Sequence, residues 1–232
     1  MHTCDIVYFL REGENEELRY SLRSVMKNFP HRDIWFYGGK PEWIVTDKFV
    51  PVNQWRNKWG NVQMMVKMAC DNPNISEDFF IFNDDFFIMK PFKTYKNRYD
   101  GELFRRIFIL EKRHGFMGSD YIIRLRKMAN ALLEWNPKCQ MLNYATHTPF
   151  LVNKTLMKQT IEQFPDIVSY RCLYGNVNKI GGTYSPDIKY DKKDSKTINA
   201  PIISTSDRAF KNNNVGRLIR EKFQDKTIYE RD

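Results

Sequence analysis

Residues 79–91 read FFIFNDDFFIMKP. Four large apolar side chains run into Asn83, Asp84 and Asp85, and three more follow at Phe86, Phe87 and Ile88. A carboxylate left without a partner in an apolar interior costs on the order of several kcal/mol. A chain that sets two of them in a strand-like run therefore has few options. The strand can end there, Lys or Arg can pair with the acids, or a hard divalent cation can take their oxygens as ligands.

The flanking pattern says what kind of sheet this strand belongs to. Residues 5–10 (DIVYFL) read as a short buried strand. From Leu18 the apolar positions recur at Leu22, Val25, Met26 and Phe29, which is helical spacing. Asn15 is placed to cap that helix, Glu16 and Glu17 suit the positive end of its dipole, and Pro30 stops it. Residues 33–39 (DIWFYGG) form a second strand, so the opening is a strand–helix–strand unit. Val62, Met65, Val66 and Ala69 predict a helix over 60–71, and the turn-rich DNPNISEDF leads into the strand that carries the two acids. This alternation predicts an α/β fold, a mixed sheet flanked by helices. In such sheets ligands bind beyond the carboxyl ends of the strands. REGEN (11–15) and Asn83-Asp84-Asp85 both fall at such ends.

The second half is more helical. Ile122, Leu125, Ala129 and Leu132 share one face within 118–135, and Met157, Thr160, Ile161 and Phe164 share one within 153–164, closed by Pro165. Between them YATHTPF reads as an irregular segment that carries His147. After about residue 175 the chain turns polar, and NVNKIGGTYSPDIKYDKKDSKTINA (176–200) reads as a loop or lid, with a final helix near 213–223. With 42% hydrophobic and 15% aromatic residues, 232 residues suffice for one well-filled domain. Its expected division is 1–92 for a donor-binding half and 93–232 for an acceptor-side half with a C-terminal tail.

Charge points to the partners. The net charge is +9, and between 86 and 141 twelve Lys/Arg stand against five Asp/Glu. That surplus suits anionic ligands such as nucleotide phosphates, DNA or an acidic glycan, and it equally suits a solvated basic surface. No P-loop, GxGxxG or GxSxG is present, so kinase, dinucleotide-dependent redox and serine-hydrolase chemistry lack their motifs. The four cysteines form no CxxC and no zinc spacing. With no signal peptide and no long apolar run, the expectation is a cytoplasmic protein with reduced thiols and no transmembrane segment.

Asp84 and Asp85 suit a divalent ion that neutralises the diphosphate of a nucleotide, acting as a Lewis acid; a structural acid pair is the bland alternative. His147 could serve as a general base towards a hydroxyl, although a lone histidine is more often structural. Arg11, Arg19, Arg23 and Arg171 could clamp phosphate through their guanidinium forks. Arg19 and Arg23, four apart, fit a solvated helix face as well.

Several of these blocks together resemble the Stealth family of sugar-phosphate transferases, the bacterial capsule enzymes and the N-acetylglucosamine phosphotransferase relatives. DIVYFL, NEELRYSLRSV, IWFYGGKPEWI, FFIFNDDFFI, THTPFLVNKTLM and SYRCLYGN carry the likeness, which runs from about residue 5 to 176. The resemblance implies a GT-A-like (Rossmann-like) architecture and a nucleotide-sugar donor, a UDP-sugar foremost. It also implies Mn²⁺ or Mg²⁺ at Asp84 and Asp85. It makes His147, Asp85 and Arg171 the catalytic set, and it places Arg11, Asn15, Arg19, Asn61 and Asn83 around the donor. There are departures: REGEN replaces a Val-Asp-Gly type segment, KWGNVQMM replaces a Thr-Phe-Asn-Ser type segment, and there is no final block. They leave the moved group open between a sugar and a sugar-1-phosphate. The compact size also resembles phage-encoded glycosyltransferases. The expected acceptor is a hydroxyl on modified DNA or on an anionic polysaccharide. Two other classes remain: a non-catalytic binding protein for nucleic acid or anionic glycan, and a metal-dependent hydrolase or nuclease. The last lacks the clustered extra carboxylates of a two-metal site.

Overall fold

The computed structural model describes residues 4–115, 119–191, 194 and 196–231. Its centre is a five-stranded sheet in the order β3–β2–β1–β4–β7. β1 (Asp5–Leu10) pairs in parallel with β2 (Ile34–Gly38) and with β4 (Asp78–Phe82), so that Ile6 lies between Ile34 and Phe80. β3 (Phe49–Pro51) extends the parallel side, and β7 (Phe150–Asn153) closes the other edge antiparallel to β4. Six fully buried positions explain why β1 reads as a continuous apolar run. Asp5 is tolerated at its buried start because Arg32 Nε and the Ser76 amide each reach it at 2.8 Å.

α1 (Glu16–Asn28) serves two layers at once. Leu18, Leu22 and Val25 pack on the central sheet, as the spacing predicts. A second, polar stripe is also buried: Glu17, Ser21, Ser24 and Asn28. It meets β5 (Phe86–Ile88), an edge strand of a second sheet ordered β5–β10–β9. Ser24 Oγ accepts from the Ile88 amide at 2.9 Å, and Asn28 Nδ2 donates to the Ile88 carbonyl at 2.6 Å. Ser21 Oγ donates to the Phe86 carbonyl. Small polar side chains at helical spacing thus satisfy backbone groups on a strand edge that would otherwise be buried unpaired.

The apolar run from Phe79 to Ile88 is therefore two strands in two sheets. The Phe86 amide bonds back to the Asn83 carbonyl at 3.3 Å, closing a turn with Asp84 and Asp85 at its centre. β10 (Ile202–Thr205), antiparallel to β5, is completely buried. It lies just past residues 176–200, the polar stretch expected as a loop or lid. Within that stretch β8 (Thr183–Tyr184) pairs with β6 (Arg98–Tyr99), and β9 (Lys189–Tyr190) pairs with β10. Lys192, Lys193 and Ser195 of the same stretch lie outside the described residues.

The helices expected from periodicity are α2 (Lys58–Asp71), α4 (Asp120–Trp135), α5 (Lys154–Gln163) and α8 (Asn214–Lys222). Two further helices are not among those the periodicity predicts, α3 (Leu103–His114) and α6 (Tyr170–Val177). α3 buries Leu103, Ile107 and Leu110, a helical stripe that its basic residues obscured. α7 (Asp207–Asn212) precedes α8. Among the described residues no helix is long and apolar enough to cross a membrane.

The C-terminal segment returns to α1. The Glu230 side chain is fully buried and receives a fork from Arg23, Nε at 2.9 Å and Nη2 at 2.7 Å. Arg23 also donates to the carbonyls of Phe223 and Gln224, both at 3.1 Å.

Candidate active site

β1 and β4 run in parallel, so their carboxyl ends open on the same side. A cleft of about 430 Å³ lies there, a size suited to a small-molecule ligand. Leu10 and Arg11 line it after β1, and Asn83, Asp84 and Asp85 line it after β4. Gln54, Lys58 and Asn61 come from the segment around the start of α2. His147, Lys189, Thr205 and Asp207 come from the second half of the chain. Gly38 lets β2 approach this end of the sheet. Its φ is +126°, and a Cβ there would sit 2.0 Å from the Leu10 carbonyl oxygen.

The two acids at the turn differ in environment. Asp84 Oδ2 accepts from Asn15 Nδ2 at 2.6 Å, while Asn15 Oδ1 caps α1 by accepting from the Leu18 amide at 3.1 Å. Burial and the neighbouring Asp85 push Asp84 up to about 6. Asp85 is the more enclosed. Its Oδ2 accepts from Ser204 Oγ at 2.7 Å and from Lys189 Nζ at 3.0 Å. Its Oδ1 is buried and has no hydrogen-bond partner among the described residues.

Glu17, expected only as a dipole partner of α1, is a third acid at this end. It is buried, and Thr205 Oγ1 donates to it at 2.6 Å. Burial, with Asp85 and Asp84 nearby, pushes it up to about 8. A raised carboxyl stabilises the fold fully below its unfolded value of about 4.5, and that contribution is lost as pH rises through about 8. Between those values the native state holds a proton that the unfolded chain has released. Glu17→Gln should therefore flatten the fall in melting temperature between pH 5 and 8.5 and leave the variant more stable than wild type at the alkaline end. Parallel thermal scans of the two proteins check this, and identical slopes would contradict it.

His147 sits on an irregular segment and keeps about a third of its side chain exposed. Its Nδ1 lies 2.8 and 2.9 Å from the two oxygens of Asp187. Burial acts to raise Asp187, but the His147 contacts outweigh it and hold the acid below its ordinary range. A proton on Nδ1 shared with Asp187 leaves Nε2 as the basic nitrogen, the arrangement of an oriented general base.

Arg171 does not line the cleft. Its Nη1 donates to the Thr146 carbonyl at 2.7 Å, its Nη2 donates to the Thr148 carbonyl, and its guanidinium lies over the Phe150 ring. It straddles His147, and its two terminal nitrogens hold the backbone carbonyls on both sides.

Arg19 is likewise elsewhere, 3.4 Å from Glu230 and stacked over Trp43 at 4.2 Å. Arg11 is at the mouth, where its Nη2 donates to Asp207 at 2.7 Å, and that hydrogen bond raises its own affinity for a proton. Asn61 faces the cleft and is buried; its amide exchanges two hydrogen bonds with the backbone of Arg56, at 2.8 and 2.9 Å. The structure thus gathers Arg11, Asn61, Asn83, Asp84, Asp85 and His147 in one cleft, with Asn15 bound behind Asp84. It sets Arg19 and Arg171 outside, adds Glu17, Lys58, Lys189 and Asp207 to the lining, and places Asp187 behind His147. Of the additions only Glu17 had a local signal, as the first member of the buried polar stripe on α1.

Among the described residues no set of three or more His, Cys, Asp and Glu side chains is arranged to hold a metal ion. The acids still fit a cation that arrives with a diphosphate. Such ions are commonly held by one or two carboxylates plus substrate phosphates, and the unpartnered Asp85 Oδ1 is an oxygen in want of a cationic partner.

A mixed sheet flanked by helices, with an acidic turn at the carboxyl end of a central strand, is a GT-A-like fold. The chain is similar over 96% of its length, and 96% of the other, to the galactosyltransferase LgtC solved with donor and acceptor sugar analogs, at 13% identity and a TM-score of 0.51. An active-site mutant of LgtC aligns at 12% identity over 94% of each chain, with a TM-score of 0.49. The apo-form glycosyltransferase GlyE of Streptococcus pneumoniae TIGR4 aligns at 8% identity over 95% of this chain and 60% of that one, with a TM-score of 0.45. At these identities the likeness concerns the fold. No protein-family model matches the chain, and no curated relative matches it in sequence.

Proposed function

We propose that this protein is a transferase that uses a nucleotide-sugar donor and a divalent cation to modify an acceptor hydroxyl. The observation that carries the reading is the single cleft that holds Asp84 and Asp85 opposite the Asp187-supported His147. Asp84 and Asp85 are the residues that would hold the cation. A cation held there would supply charge neutralisation for the leaving nucleotide. Arg11, Lys58 and Lys189 add positive charge on the donor side of the cleft.

His147 Nε2 takes the proton of the acceptor hydroxyl, and Asp187 stabilises the imidazolium that results. Arg171 holds the segment in the geometry this needs. Asn15 fixes Asp84, and so ties the acidic turn to the start of α1.

The residue blocks that resemble the Stealth enzymes support a sugar-1-phosphate as the moved group, and the GT-A fold is equally compatible with a sugar. The leaving nucleotide separates them. Incubation with UDP-sugars and Mn²⁺, followed by chromatography of the nucleotides, yields UDP if a sugar moves and UMP if a sugar phosphate moves. Neither product, with DNA and acidic glycans supplied as acceptors, would remove the enzymatic reading in favour of a binding protein. The basic surplus between 86 and 141 supports an anionic acceptor, DNA or polysaccharide.

A further inference from the structure

Lys189 stands in an unusual relation to the acidic turn. It is far from Asp85 in sequence, yet its ammonium is 3.0 Å from Asp85 Oδ2 and it lines the same cleft. The Asp85 side chain is about nine-tenths buried, and its other oxygen has no partner among the described residues. The carboxylate therefore has one oxygen held by Ser204 and Lys189 and one oxygen bare. A single flexible lysine is the only cation within salt-bridge distance of Asp85 among the described residues.

Two residues earlier, just before β9, Asp187 holds His147. One stretch of chain thus carries both the counterion of the acid and the partner of the base.

We propose that Lys189 is a resident cation that changes anions: it neutralises Asp85 in the empty cleft and is released to the donor diphosphate when the divalent ion takes Asp85. The inference rests on the cation-dependent reading above. Two positive charges cannot share one buried carboxylate without mutual repulsion, so the ammonium and the divalent ion compete for Asp85. Once displaced, the ammonium remains in a cleft already lined by Arg11 and Lys58, where an incoming diphosphate is the strongest available anion. The exchange keeps the acid paired in both states and makes cation and donor binding mutually supportive.

The competition has a signature of opposite signs. Lys189→Met removes the competitor and keeps the aliphatic stem. It should tighten Mn²⁺ binding in the absence of nucleotide by on the order of tenfold, the value of one hydrogen bond to a charged group. It should weaken UDP binding at saturating Mn²⁺ by a similar factor. Both are read by calorimetric titration, with Lys189→Gln as a second variant and circular dichroism as the check on folding. A merely structural lysine would weaken both or neither.

Unchanged or weaker Mn²⁺ binding by both variants, in a protein whose wild type binds Mn²⁺, overturns the exchange and leaves the proposed function standing. Failure of wild type and variants alike to bind Mn²⁺, with or without UDP, removes the cation reading itself and the exchange with it.

Discussion

Asp85→Asn is expected to lower turnover by about 10³-fold or more while the chain stays folded, because loss of cation-borne charge stabilisation is among the largest single effects in catalysis. Asparagine keeps the shape of the side chain and a carbonyl oxygen for the Ser204 hydroxyl, now 2.7 Å from Oδ2. It removes the negative charge that a cation requires, on the acid whose second oxygen is buried and bare. Asp84, with Asn15 on one of its oxygens, then remains as the one carboxylate of the turn for the cation. The check is nucleotide release at saturating donor, with Mn²⁺ titrated over a wide range. A variant that recovered full rate at high Mn²⁺ would show that Asp85 only tunes affinity. One that turned over normally at all concentrations would remove Asp85 from the chemistry.

His147→Ala should cost about 10²- to 10⁴-fold in kcat, the usual contribution of a positioned general base. Its partner contacts predict how the loss divides. The imidazole touches Asp187 and not the acidic turn, so UDP and Mn²⁺ affinities should stay near wild type while the rate falls. Asp187→Asn should fall in the same direction by a smaller factor, because an amide can still orient the ring but cannot stabilise its charged form. Arg171 acts one step further out, through the carbonyls of Thr146 and Thr148. A His147 variant that lost donor binding along with rate would place the histidine on the donor side and contradict its role as base.

The parts of the molecule that the sequence made legible are those with local signals. β1 and α1 are set by an apolar run followed by helical spacing, and the cap at Asn15 is where residue type and position predict it. The acids at the end of β4 are legible because burial makes them costly anywhere else. What stayed hidden depends on pairing between distant segments. Ile202–Thr205 is four residues just past a polar stretch, and only β5, far earlier in the chain, makes it a strand. Lys189 and Asp187 had no local mark, because their roles come from Asp85 and His147. The guanidinium of Arg171 suits phosphates and carbonyls equally, and only the fold shows that two carbonyls already occupy it. Glu17 was readable in principle: an acid opening a stripe of Ser21, Ser24 and Asn28 at helical spacing marks a buried polar face, not a solvated one.

The central claim is that the turn at Asp84 and Asp85 is the cation and diphosphate end of a donor site. A crystal of the protein with Mn²⁺ and UDP, measured at the manganese absorption edge, tests it most directly. The account predicts an anomalous peak against Asp85 Oδ1, the diphosphate beside it on the side of Arg11 and Lys58, and Lys189 turned from Asp85 towards the phosphates. An anomalous peak elsewhere, or UDP bound away from this turn with the Lys189–Asp85 pair intact, would contradict it.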